Sequence, residues 1–253
     1  MKLLFISNFI FLFTFIFSSC NKPSYPKQNL PEHAKKLLKK ELKIDGSLYL
    51  IGKTMYLEIE IPKEEIITEE RKVLNNAIKK ISACSIIITR LALSTDAKVD
   101  FLVSISKVKD QDFCIRTIHR LQDIKDYLYL RISRSDYEKR FVFEMLPYSK
   151  STYKDITLEE FIGRLVASQY NMFIRTNPFL SALLSNLTLE FENINDKEIV
   201  LYTDGILTSK TKILLEPILR EIYKEVEKKY SIINLPKNIT IVDFKKQKEF
   251  FSF

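Results

Sequence analysis

The chain has 253 residues, 46% of them hydrophobic and 28% charged, with a formal net charge of +8, a balance found in folded proteins and not in disordered or collagen-like ones. Three cysteines exclude a small disulfide-stapled scaffold, two histidines leave little material for a polyhistidine metal centre, and four glycines exclude glycine-rich phosphate loops. No cofactor and no metal site is expected from this composition.

Residues 1–19 read as a signal peptide. Met1 and Lys2 form a positive start, Leu3 to Phe17 is an apolar run, and Ser18 and Ser19 are small residues placed for cleavage. At Phe17-Ser18-Ser19-Cys20 the stretch resembles the lipobox of bacterial lipoproteins. That resemblance implies diacylglyceryl transfer to Cys20, cleavage before it, and a domain tethered to a membrane of the bacterial cell envelope, facing the periplasm or the exterior. A durable hold of this kind needs no further span, and no later stretch offers 18 consecutive apolar residues. Asn21, in place of the aspartate that favours inner-membrane retention in enteric-type lipoproteins, leaves the outer membrane open as a destination.

Residues 20–31, with Pro23, Pro26 and Pro31, read as a tether, and 32–253 as one α+β domain with a subdomain boundary near 147–155 as the alternative. From Glu32 to Lys43 a helix would carry Ala34, Leu37, Leu38 and Leu42 on one face and Lys35, Lys36, Lys39, Lys40 and Lys43 elsewhere. Its apolar face docks on the domain in the favoured reading, and in the alternative its lysines lie on anionic headgroups. Ser47–Ile51 and Thr54–Ile61 then flank Gly52-Lys53 as a β-hairpin.

Glu64 to Ala83 has the spacing of a helix, with Val73, Leu74, Ala77, Ile78 and Ile81 on one face. Ser85–Leu93 fits a buried strand or a continuation of that helix, and Val99–Ser106 alternates as a strand. Phe113–Leu130 is undetermined. Ser133 or Ser135 would cap a helix through Met145, and Thr157 with Glu160 has capping-box spacing before a helix through Arg175. Glu198–Tyr202, Ser209–Tyr230 and Asn238–Phe244 read as strand, helix, strand, with a right-handed crossover if the strands pair in parallel. The end, Phe244 to Phe253, combines four phenylalanines with three lysines and reads best as a terminal strand completing the core, with insertion at a membrane interface as the alternative. No internal repeat is visible.

The residues able to carry chemistry form one candidate polar cluster, Asp96, Asp100, Arg116, His119, Asp123, Asp126 and Arg134. Two carboxylates across a cleft would suit glycoside hydrolysis and arginine forks would suit an anion, but no spacing selects either, and a solvated, salt-bridged surface is the plainer reading. No Gly-x-Ser-x-Gly elbow occurs and no catalytic residue is assigned. Cys84 and Cys114 both lie in apolar surroundings and read as two buried thiols, with a disulfide as the alternative in an exported domain. Arg90 interrupts an apolar run and must pair with a carboxylate or reach solvent, while Gln169 falls on the apolar face of its helix.

These features lead to the expectation of a non-enzymatic, membrane-anchored binding or assembly component that contacts another envelope protein or an amphiphile and no nucleic acid. The alternative is an envelope hydrolase acting on glycan, peptidoglycan or lipid through carboxylates in the 96–136 region.

Overall fold

A computed structural model describes residues 24–63, 71–184, 186–230 and 235–252. The fold is α+β, as expected, with seven α-helices among the described residues and two mixed sheets. The first sheet takes β1 (Gly46–Ile51), β2 (Thr54–Ile61), β3 (Phe101–Val108), β4 (Cys114–Arg120) and β5 (Val142–Leu146) in sequence order. The second takes β6 (Glu190–Ile194), β7 (Glu198–Thr203), β8 (Asn238–Asp243) and β9 (Lys248–Ser252). The helices are α1 (Leu30–Leu37), α2 (Arg71–Leu93), α3 (Leu121–Leu128), α4 (Arg134–Glu138), α5 (Leu158–Thr176), α6 (Pro178–Leu184) and α7 (Ser209–Lys229).

This order contains a repeat that the residues do not announce. In the first unit an antiparallel pair, β1–β2, leads through α2 to β3, which lies parallel to β2, and β4 then returns antiparallel. The second unit does the same with β6–β7, α7, β8 and β9. A helical crossover is what a parallel neighbour requires in each case, so the chain holds two ββαββ units joined by α3, α4, β5, α5 and α6.

Local signals account for most elements. Thr157 accepts the Glu160 N–H and starts α5 where the capping spacing placed it, while Thr208 and Thr211 cap α7 reciprocally. The hairpin forms with Ser47 opposite Glu58 and Ile51 opposite Thr54. Ser85–Leu93 is helix: Ile87, Ile88 and Leu91 are buried against the sheet, so amphipathic packing overrides the strand preference of branched residues. Arg90 on this helix is half exposed and gives both Nη1 contacts of 2.8 Å to Glu41, meeting both conditions set for it.

Two expectations are corrected. Ser133 caps a helix, but α4 ends at Glu138 and Val142–Leu146 is a strand, because those residues complete the sheet beside β4 rather than extending a helix. The tether is shorter than drawn, since Lys27–Asn29 is a 3-10 turn and Pro31 lies in the first turn of α1. The undetermined stretch from Phe113 resolves into β4 and α3. Residues 1–23, including Cys20, and 64–70 lie outside the described residues. No helix among the described residues is long and apolar enough to cross a membrane.

Two apolar clusters lie on opposite faces of the first sheet. One joins β2–β5 to α5, α7 and the second sheet, with Tyr56, Val103, Phe161, Tyr170, Leu219 and Ile241 buried in it. It draws on residues before and after 147–155. The other packs α1 and α2 on the far face through Leu30, Ala34, Leu38, Ile87, Ile88 and Leu91. α1 and the π-helical turn Leu38–Leu42 that continues it therefore dock by their apolar face and leave Lys35, Lys36, Lys39 and Lys40 exposed. Cys114 belongs to the first cluster and Cys84 to the second, so the sheet separates them and both thiols are free. The disulfide alternative is not realised, and burial pushes the Cys84 thiol up to about 12, far from the reactive thiolate. The tail forms β9, which buries Phe251 and leaves Phe250 and Phe244 exposed.

The segment from Pro147 to Thr157 is strapped across the first unit. Asp155 Oδ1 accepts from Lys53 N at 2.8 Å and from Thr54 Oγ1 at 3.0 Å, while Tyr56 Oη donates to Lys154 O at 2.6 Å. Tyr148 and Tyr153 both donate to the Glu58 carboxylate. Gly52 turns the hairpin at φ +56°, and a Cβ there would lie 2.2 Å from Asp155 Oδ2. Gly52→Ala therefore combines a left-handed strain with a collision against the strap and is expected to cost about 2–4 kcal/mol. A denaturant midpoint unchanged in the variant would show that the strap yields freely.

Candidate functional site

Ser168, Asn171 and Arg175 follow Arg164 at the fourth, seventh and eleventh places on one helix, which puts the four in a single polar stripe along α5. The stripe runs between two sheet edges. Ser168 Oγ accepts the Phe143 N–H at 2.9 Å and donates to its carbonyl at 3.1 Å on β5. Three residues on, Asn171 does the same for Leu189 just before β6, at 2.9 and 2.7 Å. α5 thus satisfies main-chain groups on the last strand of the first sheet and at the start of the second.

A cleft of about 200 Å³ opens beside this seam, lined by β5, α5 and residues 188–191. Arg116, Lys150, Arg164 and Arg175 line it together with Glu144 and Glu190, an excess of two positive charges. At its floor Arg116 on β4 reaches Glu144, its cross-strand neighbour on β5, with Nε and Nη2 each 2.6 Å from Oε2. Arg164 gives Nη1 to Glu144 Oε1 at 3.0 Å and Nε and Nη2 to Glu160 Oε1 at 2.8 Å, and Lys154 Nζ takes Glu160 Oε2 at 2.9 Å. The Arg164 guanidinium also lies 5.1 Å from the centre of the Phe191 ring. Nearer the mouth, Lys150 pairs with Glu190 at 3.1 Å, and exposed Arg175 spends one N–H on Met145 Sδ at 3.3 Å.

The seven residues of the predicted polar cluster do not meet in one opening. Asp96 accepts the Lys27 N–H, Asp100 pairs with Lys53 at 3.1 Å, and Arg116 lies in the floor network. Asp126 holds Arg131 at 3.2 Å and Gln122 at 3.0 Å, and Arg134 holds Glu138 at 2.8 Å on open surface. Asp123 is buried, accepting from Tyr230 Oη at 2.8 Å and Arg140 Nη1 at 3.2 Å with Arg120 at 4.0 Å. Burial raises its carboxyl above the usual range, against the opposing pull of Tyr230 and the two arginines.

His119 sits beside this group, stacked on Phe141 at 5.0 Å, with Nδ1 2.9 Å from Tyr137 Oη. Burial lowers the imidazole to about 4 and pushes the Tyr137 phenol up, so two neutral groups share this hydrogen bond. His119 and Asp123 are thus each absorbed by neighbours of the fold. Asp100 alone of the named carboxylates borders a larger hollow of about 480 Å³, which it shares with Lys53, Arg120, Lys125 and Asp155. Gln169 borders another, about 360 Å³, between α5 and α7. Among the described residues no three His, Cys, Asp or Glu side chains are grouped to hold a metal ion.

A comparison of the sequence with protein-family models and with curated proteins gives no match. The site is therefore read from its own geometry. Lys150, Arg164, Arg175 and Glu144 were not among the residues singled out from the sequence. The polar stripe at 164, 168, 171 and 175 is the signal that marks them, because a helix burying Phe161, Leu165 and Ile174 has no internal use for four polar residues in register.

Proposed function

We propose that this chain is an envelope lipoprotein held through Cys20, and that its domain is a binding or assembly component that receives an acidic group of an envelope partner in the cleft between β5 and β6. The observation that carries the reading is the convergence of Arg116, Lys150, Arg164 and Arg175 on one opening against two carboxylates. Such a surplus favours an anion and rejects a cation. The cleft, about 200 Å³, is smaller than the roughly 300–1,000 Å³ of small-molecule sites, which suits one acidic group of a larger partner. Hydrolysis by carboxylates between 96 and 136 is the weaker reading, because it needs two of them across one opening and each holds a partner of its own. The exposed lysines Lys35 and Lys36 of α1 and Lys39 and Lys40 of the π-helical turn after it support contact with anionic headgroups beside the anchor.

Two readouts on the full chain test this. Cys20→Ser is expected to abolish lipid labelling. A fluorescent penta-glutamate peptide is expected to bind in a salt-sensitive manner, a penta-lysine peptide not to bind, and Arg175→Glu to weaken the glutamate peptide at least tenfold, in line with loss of a charge-assisted contact. Labelling that survives Cys20→Ser would remove the anchor, and equal binding by Arg175→Glu would remove the cleft.

A further inference from the structure

The sequence Leu128-Tyr129-Leu130-Arg131 ends α3 in a tightly bonded turn. Leu130 N donates to Tyr127 O at 3.0 Å and Arg131 N to Asp126 O at 2.8 Å, the two bonds of a Schellman ending. That ending needs one residue in the left-handed region, and Leu130 occupies it at φ +56°. Glycine is the ordinary occupant, since an L side chain is strained there. The leucine gains no packing in exchange, being 88% exposed, with Leu128 and Tyr129 exposed beside it. Where this ending commonly has an apolar contact between its flanks, the structure has the Asp126–Arg131 ion pair. Strain and exposure together give Leu130 no function inside the fold.

Its surroundings select the occupant. Arg131 lies 5.5 Å from the centre of the Tyr129 ring, Arg134 is 81% exposed, and Lys125 lies one turn back on α3. An apolar tip bearing a tyrosine, with cationic side chains at its edge of which Arg131 also pairs with Asp126 and Arg134 with Glu138, matches the boundary between headgroups and acyl chains of a bilayer. The path of the backbone leads from the tether to the start of α3, the helix that carries the tip at its other end. Tyr25 N donates to Ser94 O and Lys27 N to Asp96 Oδ1, fixing the first described residues to the loop after α2. Asp100, four residues on and so within about 14 Å of Asp96, accepts the Leu121 N–H where α3 begins.

We infer that the Leu128–Leu130 tip inserts into an anionic membrane surface and fixes the orientation of the domain there, an inference that rests on the anchoring through Cys20. The chain contains no tryptophan, so Leu130→Trp supplies a single reporter. In the full lipidated chain on vesicles of phosphatidylglycerol and phosphatidylcholine, its emission is expected to move to shorter wavelength and to be quenched by lipids brominated near the headgroup. On phosphatidylcholine alone the shift should be much smaller. Leu130→Gly should raise the thermal midpoint of the domain yet increase its rotational freedom on the anionic vesicles, two effects of opposite sense that a purely structural leucine would not produce. A chain that floats with the vesicles while the reporter remains in water overturns the insertion and leaves the anchor standing. A chain that does not float overturns both.

Discussion

Replacing Glu144 with alanine is expected to destabilise the domain by about 3–5 kcal/mol, the usual consequence of leaving a buried charge without its partner. Glu144 serves two guanidiniums at once, Arg116 from the neighbouring strand and Arg164 from α5. The side chains of Arg116, Glu144, Arg164 and Glu160 are at most 17% exposed. Water cannot readily replace the missing carboxylate, and neither arginine can lose its charge. Glu138→Ala is the control, since its pair with Arg134 lies in solvent, where an ion pair contributes little. The measurement is the denaturant midpoint at constant m-value for Glu144→Ala, Glu144→Gln and Glu138→Ala. A Glu144→Ala midpoint as high as that of Glu138→Ala would mean that water or a rearranged Glu160 satisfies the arginines. Because Arg116, Glu144 and Arg164 also line the basic cleft, Glu144→Gln reports on the cleft's charge without emptying its shape.

The second large effect concerns acid. His119 has an ordinary unfolded value near 6.5 and is held at about 4 in the fold by burial. Between those values the unfolded chain binds the proton and the folded chain does not, so stability falls as the pH is lowered from about 6.5 towards 4. A displacement of this size corresponds to about 3 kcal/mol at most, and partial exposure of the ring at the sheet end brings the expectation to about 2 kcal/mol. His119→Gln should begin less stable, having lost the ring stacking on Phe141 and Tyr137, and should then show a flatter profile through the same window. Carboxylates titrate in both proteins, so the difference between the two curves isolates the imidazole. Parallel curves would place His119 in contact with water and cancel the prediction.

Much of the fold was legible because its signals are local. Thr157 and Glu160 mark the start of α5, Gly52-Lys53 marks the hairpin, and alternation marks β3 and β7, each decided within a few residues. The parts that were not legible depend on distant partners. Val142–Leu146 reads as the tail of a helix until β4 stands beside it and Arg116 claims Glu144. β6 carries a bulge between Phe191 and Asn193 that interrupts the alternation a reader would look for. The repeat of the ββαββ unit is a likeness of path, with different residues at matching places, so no residue comparison reveals it. The candidate site was less legible than the fold. Charged residues between 96 and 136 drew attention by their number, yet number says nothing of convergence, and all but Arg116 lie away from the cleft.

The double sealing of the two strand edges by α5 has a consequence for selectivity. With the main chain of Phe143 occupied by Ser168 and that of Leu189 by Asn171, a visiting polypeptide finds those backbone groups already engaged and cannot register as an additional strand there. Backbone pairing would accept almost any extended segment, whereas side-chain contact in the cleft discriminates by charge and size. Two copies of the chain would, for the same reason, be unable to zip together at those two positions.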